Sequence, residues 1–150
     1  MAHTFHKLYY HLVWSTKERQ PLLVPEIQTR LFEYLGGSFR NLECNPITIG
    51  GMPDHVHALI SVPPKIAISE VMRNVKTHTS KWVKETFNQA GDFAWQEGFG
   101  AFSVSQSGRD EVIKYIRHQK EHHQSYTFKE EFIKFLKLYE VEFNEEYLWR

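Results

Sequence analysis

Apolar and polar positions alternate along residues 5–15. Leu8, Tyr10, Leu12 and Trp14 share one side, and Lys7, Tyr9, His11 and Val13 the other. A period of two is that of a strand, and these residue types favour the pleat. After the polar break at 16–21 the period lengthens. Pro25 sits where a first helical turn tolerates proline, and Ile27, Leu31, Leu35 and Phe39 recur at helical spacing to about Arg40. A short strand is predicted over 45–52, interrupted by Gly50-Gly51. A third follows after a Pro53-Asp54 turn, with Val56, Ala58, Ile60 and Val62 on one face and His55, His57 and Leu59 on the other. Pro63-Pro64 ends it. A second helix is predicted from Ile68 to Phe87, its buried stripe made by Ile68, Val71, Met72, Val75, Thr79, Trp82 and Val83. Residues 101–105 read as a fourth strand. A capping-box pattern at Ser107 to Asp110 predicts a helix from there to about His123, and another amphipathic helix covers 128–138. The tail from Val141 to Trp149 is expected to pack on the body or on a partner.

The order β-α-β-β-α-β followed by helices is the ferredoxin-like (RRM-like) pattern. It makes an α+β fold with an antiparallel sheet and helices on one face. Val56, Ala58 and Ile60 are then expected to face those helices, and His55 and His57 to project from the open face. A length of 150 residues is that of one domain with a real core, and 41% hydrophobic and 15% aromatic residues exclude a disordered composition. The absence of a long apolar run or an N-terminal leader pattern makes the expected location the cytoplasm and argues against a membrane partner. Cys44 is the only cysteine, which excludes an intrachain disulfide and a cysteine-based zinc finger. Formal net charge is zero, yet Lys65, Arg73, Lys76, Lys81 and Lys84 face a single acid, Glu70, over 65–84. A basic helix on a neutral protein can mark a nucleic-acid face or simply a solvated one.

His55 and His57 point the same way, about 6–7 Å apart along a strand. Two neutral imidazoles on a rigid element can converge on one ion. On the late helix Tyr115 and Gln119 are stacked neighbours at i and i+4. If that helix lies over the sheet face carrying the histidines, Gln119 can complete the ion's shell and Tyr115 can reach a group bound to it. The same residues also fit two solvated histidines, a packing tyrosine and a surface glutamine.

Four blocks carry a resemblance: Gly51-Met52-Pro53-Asp54-His55-Val56-His57, Ile60-Ser61-Val62-Pro63-Pro64, the stretch from Trp95 to Val104, and Tyr115-Ile116-Arg117-His118-Gln119. In order and spacing the chain resembles the single-tyrosine HUH transposases of the insertion-sequence-200-like class and their REP-associated relatives. The resemblance implies one catalytic domain over 1–150 that cleaves and rejoins single-stranded DNA at hairpin-marked ends through a 5′-phosphotyrosine. His55, His57 and Gln119 would be metal ligands and Tyr115 the nucleophile. The cofactor would be a divalent metal, Mg2+ or Mn2+ rather than Zn2+. The partners would be single-stranded DNA with hairpins and a second copy in a homodimer, in which the tyrosine helix of one subunit can serve the histidines of the other. Arg73, Lys76, Lys81 and Lys84 are the candidate phosphate contacts.

Other readings stay open beside this one. The chain could be a domesticated REP-type palindrome-processing nuclease with the same residues. It could be a non-catalytic single-strand nucleic-acid binding module on a ferredoxin-like sheet. A zinc-dependent hydrolase would need Asp54, Glu111 or His118 as general base.

Overall fold

The computed structural model describes residues 4–150. Four antiparallel strands, β1 (Tyr9–Ser15), β2 (Asn45–Met52), β3 (His55–Ser61) and β4 (Gly100–Val104), form one sheet in the order β2-β3-β1-β4. That is the expected α+β, ferredoxin-like arrangement. On one face lie α1 (Pro25–Asn41) and α2 (Ile68–Thr86). Leu12 and Trp14 of β1 and Val56, Ala58 and Ile60 of β3 are fully buried there. They pack with Ile27, Leu31, Leu35 and Phe39 of α1 and Val71, Met72, Val75 and Val83 of α2. The predicted stripe of α2 holds, with Ile68 and Trp82 at its half-buried margin.

The other face is not open. It is covered by α3 (Arg109–Arg117), α4 (Gln119–His122) and α5 (Phe128–Leu138), followed by a short α6 (Glu145–Leu148). The reason lies in the residues that β1, β3 and β4 turn that way. Tyr9, Val13, Leu59, Phe102 and Val104 are apolar, and Ile116 of α3 and Phe128, Phe132 and Leu136 of α5 bury them. A sheet with two apolar faces needs cover on both.

Three local expectations change. The helix predicted from Ser107 to His123 breaks at His118 (φ −106°, ψ 30°) into α3 and α4. No capping box forms at Ser107. Gly108 is the N-cap, and its N–H donates to Ser105 Oγ at 3.0 Å. The capping box that does form is Thr127 with Glu130, at the start of α5. Nor is β2 interrupted at its glycines. Its register shifts between Pro46 and Thr48, which an edge strand bearing a proline accommodates.

Gly50 and Gly51 have a steric purpose instead. A Cβ on Gly50 would stand 2.9 Å from the Ile116 carbonyl oxygen, so the missing side chain lets α3 lie directly on β2. Gly50→Val is therefore expected to cost about 1–3 kcal/mol by forcing backbone apart. A urea midpoint equal to wild type would show that α3 does not rest there. The tail packs on the body at its end. Trp149 meets Phe132, its carbonyl accepts from Arg19 at 3.0 Å, and the Arg150 carbonyl accepts from the Glu97 N–H at 3.0 Å. Among the described residues no helix is long and apolar enough to cross a membrane.

Candidate metal and nucleophile site

β3 begins directly after the Pro53-Asp54 turn, and its alternation sends His55 and His57 to the face covered by α3–α5, where both are fully buried. Each ring is held at its outer nitrogen. His55 Nδ1 is 2.7 Å from Asp54 Oδ1, and His57 Nδ1 is 2.8 Å from Nε2 of His11, itself buried on β1. A carboxylate can only accept, so Asp54 accepts from the Nδ1–H of His55, which leaves Nε2 with the lone pair of the neutral ring. Both Nε2 atoms thus point inward to one spot.

The C-terminal helices bring four more groups to that spot. Gln119 Oε1 lies 2.9 Å from His55 Nε2 and 3.1 Å from His123 Nε2. Glu131 Oε1 lies 2.9 Å from His57 Nε2, 3.2 Å from His123 Nε2 and 3.4 Å from His55 Nε2. Its second oxygen, Oε2, accepts from the Tyr115 hydroxyl in a short hydrogen bond and from Gln119 Nε2 at 3.3 Å. The Tyr115 hydroxyl also meets that of Tyr126 at 3.2 Å. One donor atom each from His55, His57, His123 and Glu131 lie within 4.8 Å of one another. Atoms bound about 2.1 Å from a common ion are themselves about 3.0–3.4 Å apart. The distances from Glu131 Oε1 to the three imidazoles are already at that spacing, and the grouped donors are of the kind that hold a divalent metal.

The electrostatics follow from burial around one carboxylate. Burial opposes the charge on Glu131, but hydrogen bonds from His123 and His57 outweigh it and hold the carboxyl far below its usual range. Burial, with the same carboxylate beside it, pushes the Tyr115 phenol far above its ordinary value. The hydroxyl is thus locked in its protonated form while Glu131 sits on it. Burial is the main cause pushing His57 down to about 4, and it lowers His11 with help from His57. His123 is raised, since its bond to Glu131 overcomes its own burial.

These shifts set a pH dependence for the metal-free protein. His57 and His11 refuse protons that the unfolded chain accepts below about 6.5, so their contribution is full above that pH and lost as pH falls. Glu131 adds a loss below its ordinary range, while His123 offsets part of this between neutral pH and about 5. A net uptake of one proton on unfolding gives a slope of about 1.4 kcal/mol per pH unit. Urea midpoints should fall from pH 7 to pH 5, and a flat profile would contradict the proton inventory.

Of the residues singled out from sequence, His55, His57, Tyr115 and Gln119 come together. The basic residues of α2 do not join them, because that helix lies on the opposite face of the sheet. Arg73, Lys81 and Lys84 are exposed there, whereas Lys76 Nζ donates to the carbonyls of Gln96, Glu97 and Gly98 at 2.6, 3.1 and 2.8 Å. His118 is exposed, its Nδ1 2.7 Å from the Lys114 carbonyl, and Glu111 is exposed on α3. Sequence reasoning missed His11, His123 and Glu131. Two signals were available: His123 stands four residues after Gln119, and Glu131 is an acid within the apolar stripe of Phe128, Phe132 and Phe135.

A family model of IS200-like transposases matches residues 4–119. The chain belongs to that family. It is 31% identical over 123 residues to the ISDra2 transposase TnpA of Deinococcus radiodurans, covering 77% of this chain and 88% of that one. It is 27% identical over 136 residues to the transposase for insertion sequence element IS200 of Salmonella typhimurium, covering 81% and 82%. Among solved structures, a crystal structure of a Deinococcus radiodurans protein assigned as a transposase superposes with TM-score 0.66 at 26% identity, over 79% of this chain and 95% of that one. A REP-associated tyrosine transposase bound to a REP hairpin shares the fold, with TM-score 0.61 at 14% identity over 82% and 73%. This IS200-like transposase therefore acts on DNA. Its family-matched part contains His55, His57, Tyr115 and Gln119 and ends before His123, Glu131 and the whole of α5.

Proposed function

We propose that this transposase, working as one catalytic domain over 1–150, cleaves and rejoins single-stranded DNA at hairpin-marked ends through a covalent bond to Tyr115. The observation that carries the reading is the position of Glu131. Its Oε1 lies among the inward imidazole nitrogens and its Oε2 accepts from the phenol. One small anion thus bridges the groups that a scissile phosphate would have to bridge. A phosphate takes over those partners as Glu131 withdraws on α5, and the phenol is released from the carboxylate hydrogen bond that holds its proton.

Tyr115 Oη then attacks phosphorus in line. A P–O bond forms to the phenol as the P–O3′ bond breaks, leaving a 5′-phosphotyrosine and a free 3′-hydroxyl. The phenolic proton is released to solvent and the departing 3′-oxygen takes one up, so the exchange is proton-neutral. One phosphodiester replaces another, which makes the step reversible without a nucleotide cofactor. His55, His57 and Gln119 would hold a divalent ion, with His123 beside them. When bound, the ion supplies Lewis-acid polarisation of a phosphate oxygen. Nitrogen-rich donors favour Mn2+ over Mg2+. Within one chain these groups meet as a cis site. In a homodimer, exchange of α3 between subunits is the second arrangement.

The test uses the purified protein, Mn2+ and labelled single-stranded hairpins from the flanks of its own gene. A protein–DNA adduct that survives denaturing electrophoresis, carrying the fragment 3′ of the break, is the expected result. An adduct carrying the opposite fragment, or none on any flank, overturns the reading.

A further inference from the structure

A cavity of about 600 Å³ opens between α3 and α5 over the edge of β4, and Tyr115 and His11 are among the residues that line it. Its α5 wall continues the helix face that reaches the reacting cluster. Glu131, Lys134, Phe135 and Leu138 fall at i, i+3, i+4 and i+7, so one stripe runs from the cluster out along the cleft. The wall is aromatic. Phe102 stacks on Phe135 with ring centres 5.5 Å apart and packs on Tyr139 at 4.8 Å. Tyr139 is 38% exposed, leaving part of its ring free, and Lys134 stands exposed at the mouth. Glu111 is the acid on the facing α3 rim.

We propose that this cleft is the subsite for a single-stranded nucleotide adjoining the scissile phosphate, a proposal that rests on Tyr115 being the nucleophile. A flat aromatic surface beside one cation is how proteins hold unpaired bases without reading their sequence. Continuity decides the occupant. The attacking tyrosine lines the cleft, so a strand whose phosphate reaches the phenol has this cleft beside it. A duplex does not fit a slot of this size, whereas one splayed nucleotide does. The cleft joins both parts of the chain: its β4 and α3 walls lie within the family-matched residues and its α5 wall beyond them.

The experiment measures binding of a short fluorescein-labelled oligothymidylate, and of a duplex of equal length, by anisotropy. It is done in the Tyr115→Phe background so that no cleavage intervenes. Tyr139→Ala and Lys134→Ala should each weaken single-strand binding roughly tenfold and leave duplex binding unchanged, while Tyr139→Phe keeps wild-type affinity. An iodouracil-substituted oligonucleotide should photocross-link to Tyr139. Unchanged affinity in both alanine variants overturns the proposal. So does an equal loss for duplex, which would mean general surface charge, or an apolar dye seated in the cleft that the oligonucleotide fails to displace. Failure of the adduct assay alongside the expected binding losses would strike the nucleophile assignment. A normal adduct with neutral subsite variants would strike the subsite alone.

Discussion

Tyr115→Phe leaves a protein that folds and binds hairpin DNA but forms no covalent adduct. The substitution removes one oxygen. The ring stays in place, stacked on His122 at 4.4 Å between centres and edge-on to Phe135 at 5.5 Å. Glu131 Oε2 loses its phenol donor but keeps Gln119 Nε2 at 3.3 Å, and Oε1 keeps its imidazoles. The stability cost is therefore that of one hydrogen bond to a charged group, about 1–3 kcal/mol. The chemical cost is of another order, because the atom that forms the covalent bond is gone. Loss of a nucleophile typically lowers a rate by roughly 10⁴-fold or more. Denaturing electrophoresis with manganese and labelled hairpin reads the adduct, and a mobility shift reads binding. An adduct in the variant would move the nucleophile to another hydroxyl, with Tyr126 the nearest at 3.2 Å.

Much of this arrangement could be read from residue order, for a physical reason. Strand alternation and helix periodicity are local, and they placed all four strands, α1, α2 and α5, with His55 and His57 on one face of β3. The same locality explains what was missed. The acid in an apolar stripe marks Glu131 but does not name its partners, which lie 74 and 76 residues upstream on β3 and eight residues upstream at His123. A buried acid inside an apolar stripe looks like an error of patterning until the histidines opposite are seen. The open sheet face was a similar miss. The fold pattern accounts for helices on one side only, and cover on the other depended on where α5 docks. The break at His118 also escaped periodicity, because apolar spacing carries through a one-residue kink. The placement of Gln119 and His123 shows what that break achieves: both turn to the Glu131 carboxylate.

The histidine pair carries the other large effect. His57→Ala should weaken Mn2+ binding by more than about 100-fold, read by titration calorimetry or by the manganese resonance, and abolish metal-dependent cleavage. The argument concerns Glu131 as much as the ion. His57 Nε2 is that carboxylate's closest imidazole partner at 2.9 Å, and Glu131 is buried. Removing the ring leaves a cavity and strips a buried charge of a partner, so the metal-free variant should also lose about 3–5 kcal/mol of stability. Asp54→Asn separates the two effects. The Asp54 side chain hydrogen-bonds the outer nitrogen of His55, at 2.7 Å, and is partly exposed in the β2–β3 turn. An amide there no longer fixes which ring nitrogen carries the proton, so Mn2+ affinity should fall by about 10–100-fold with little change in the urea midpoint. If His57→Ala binds Mn2+ as wild type does, the imidazoles serve only to hold Glu131, and the metal-assisted mechanism falls with them.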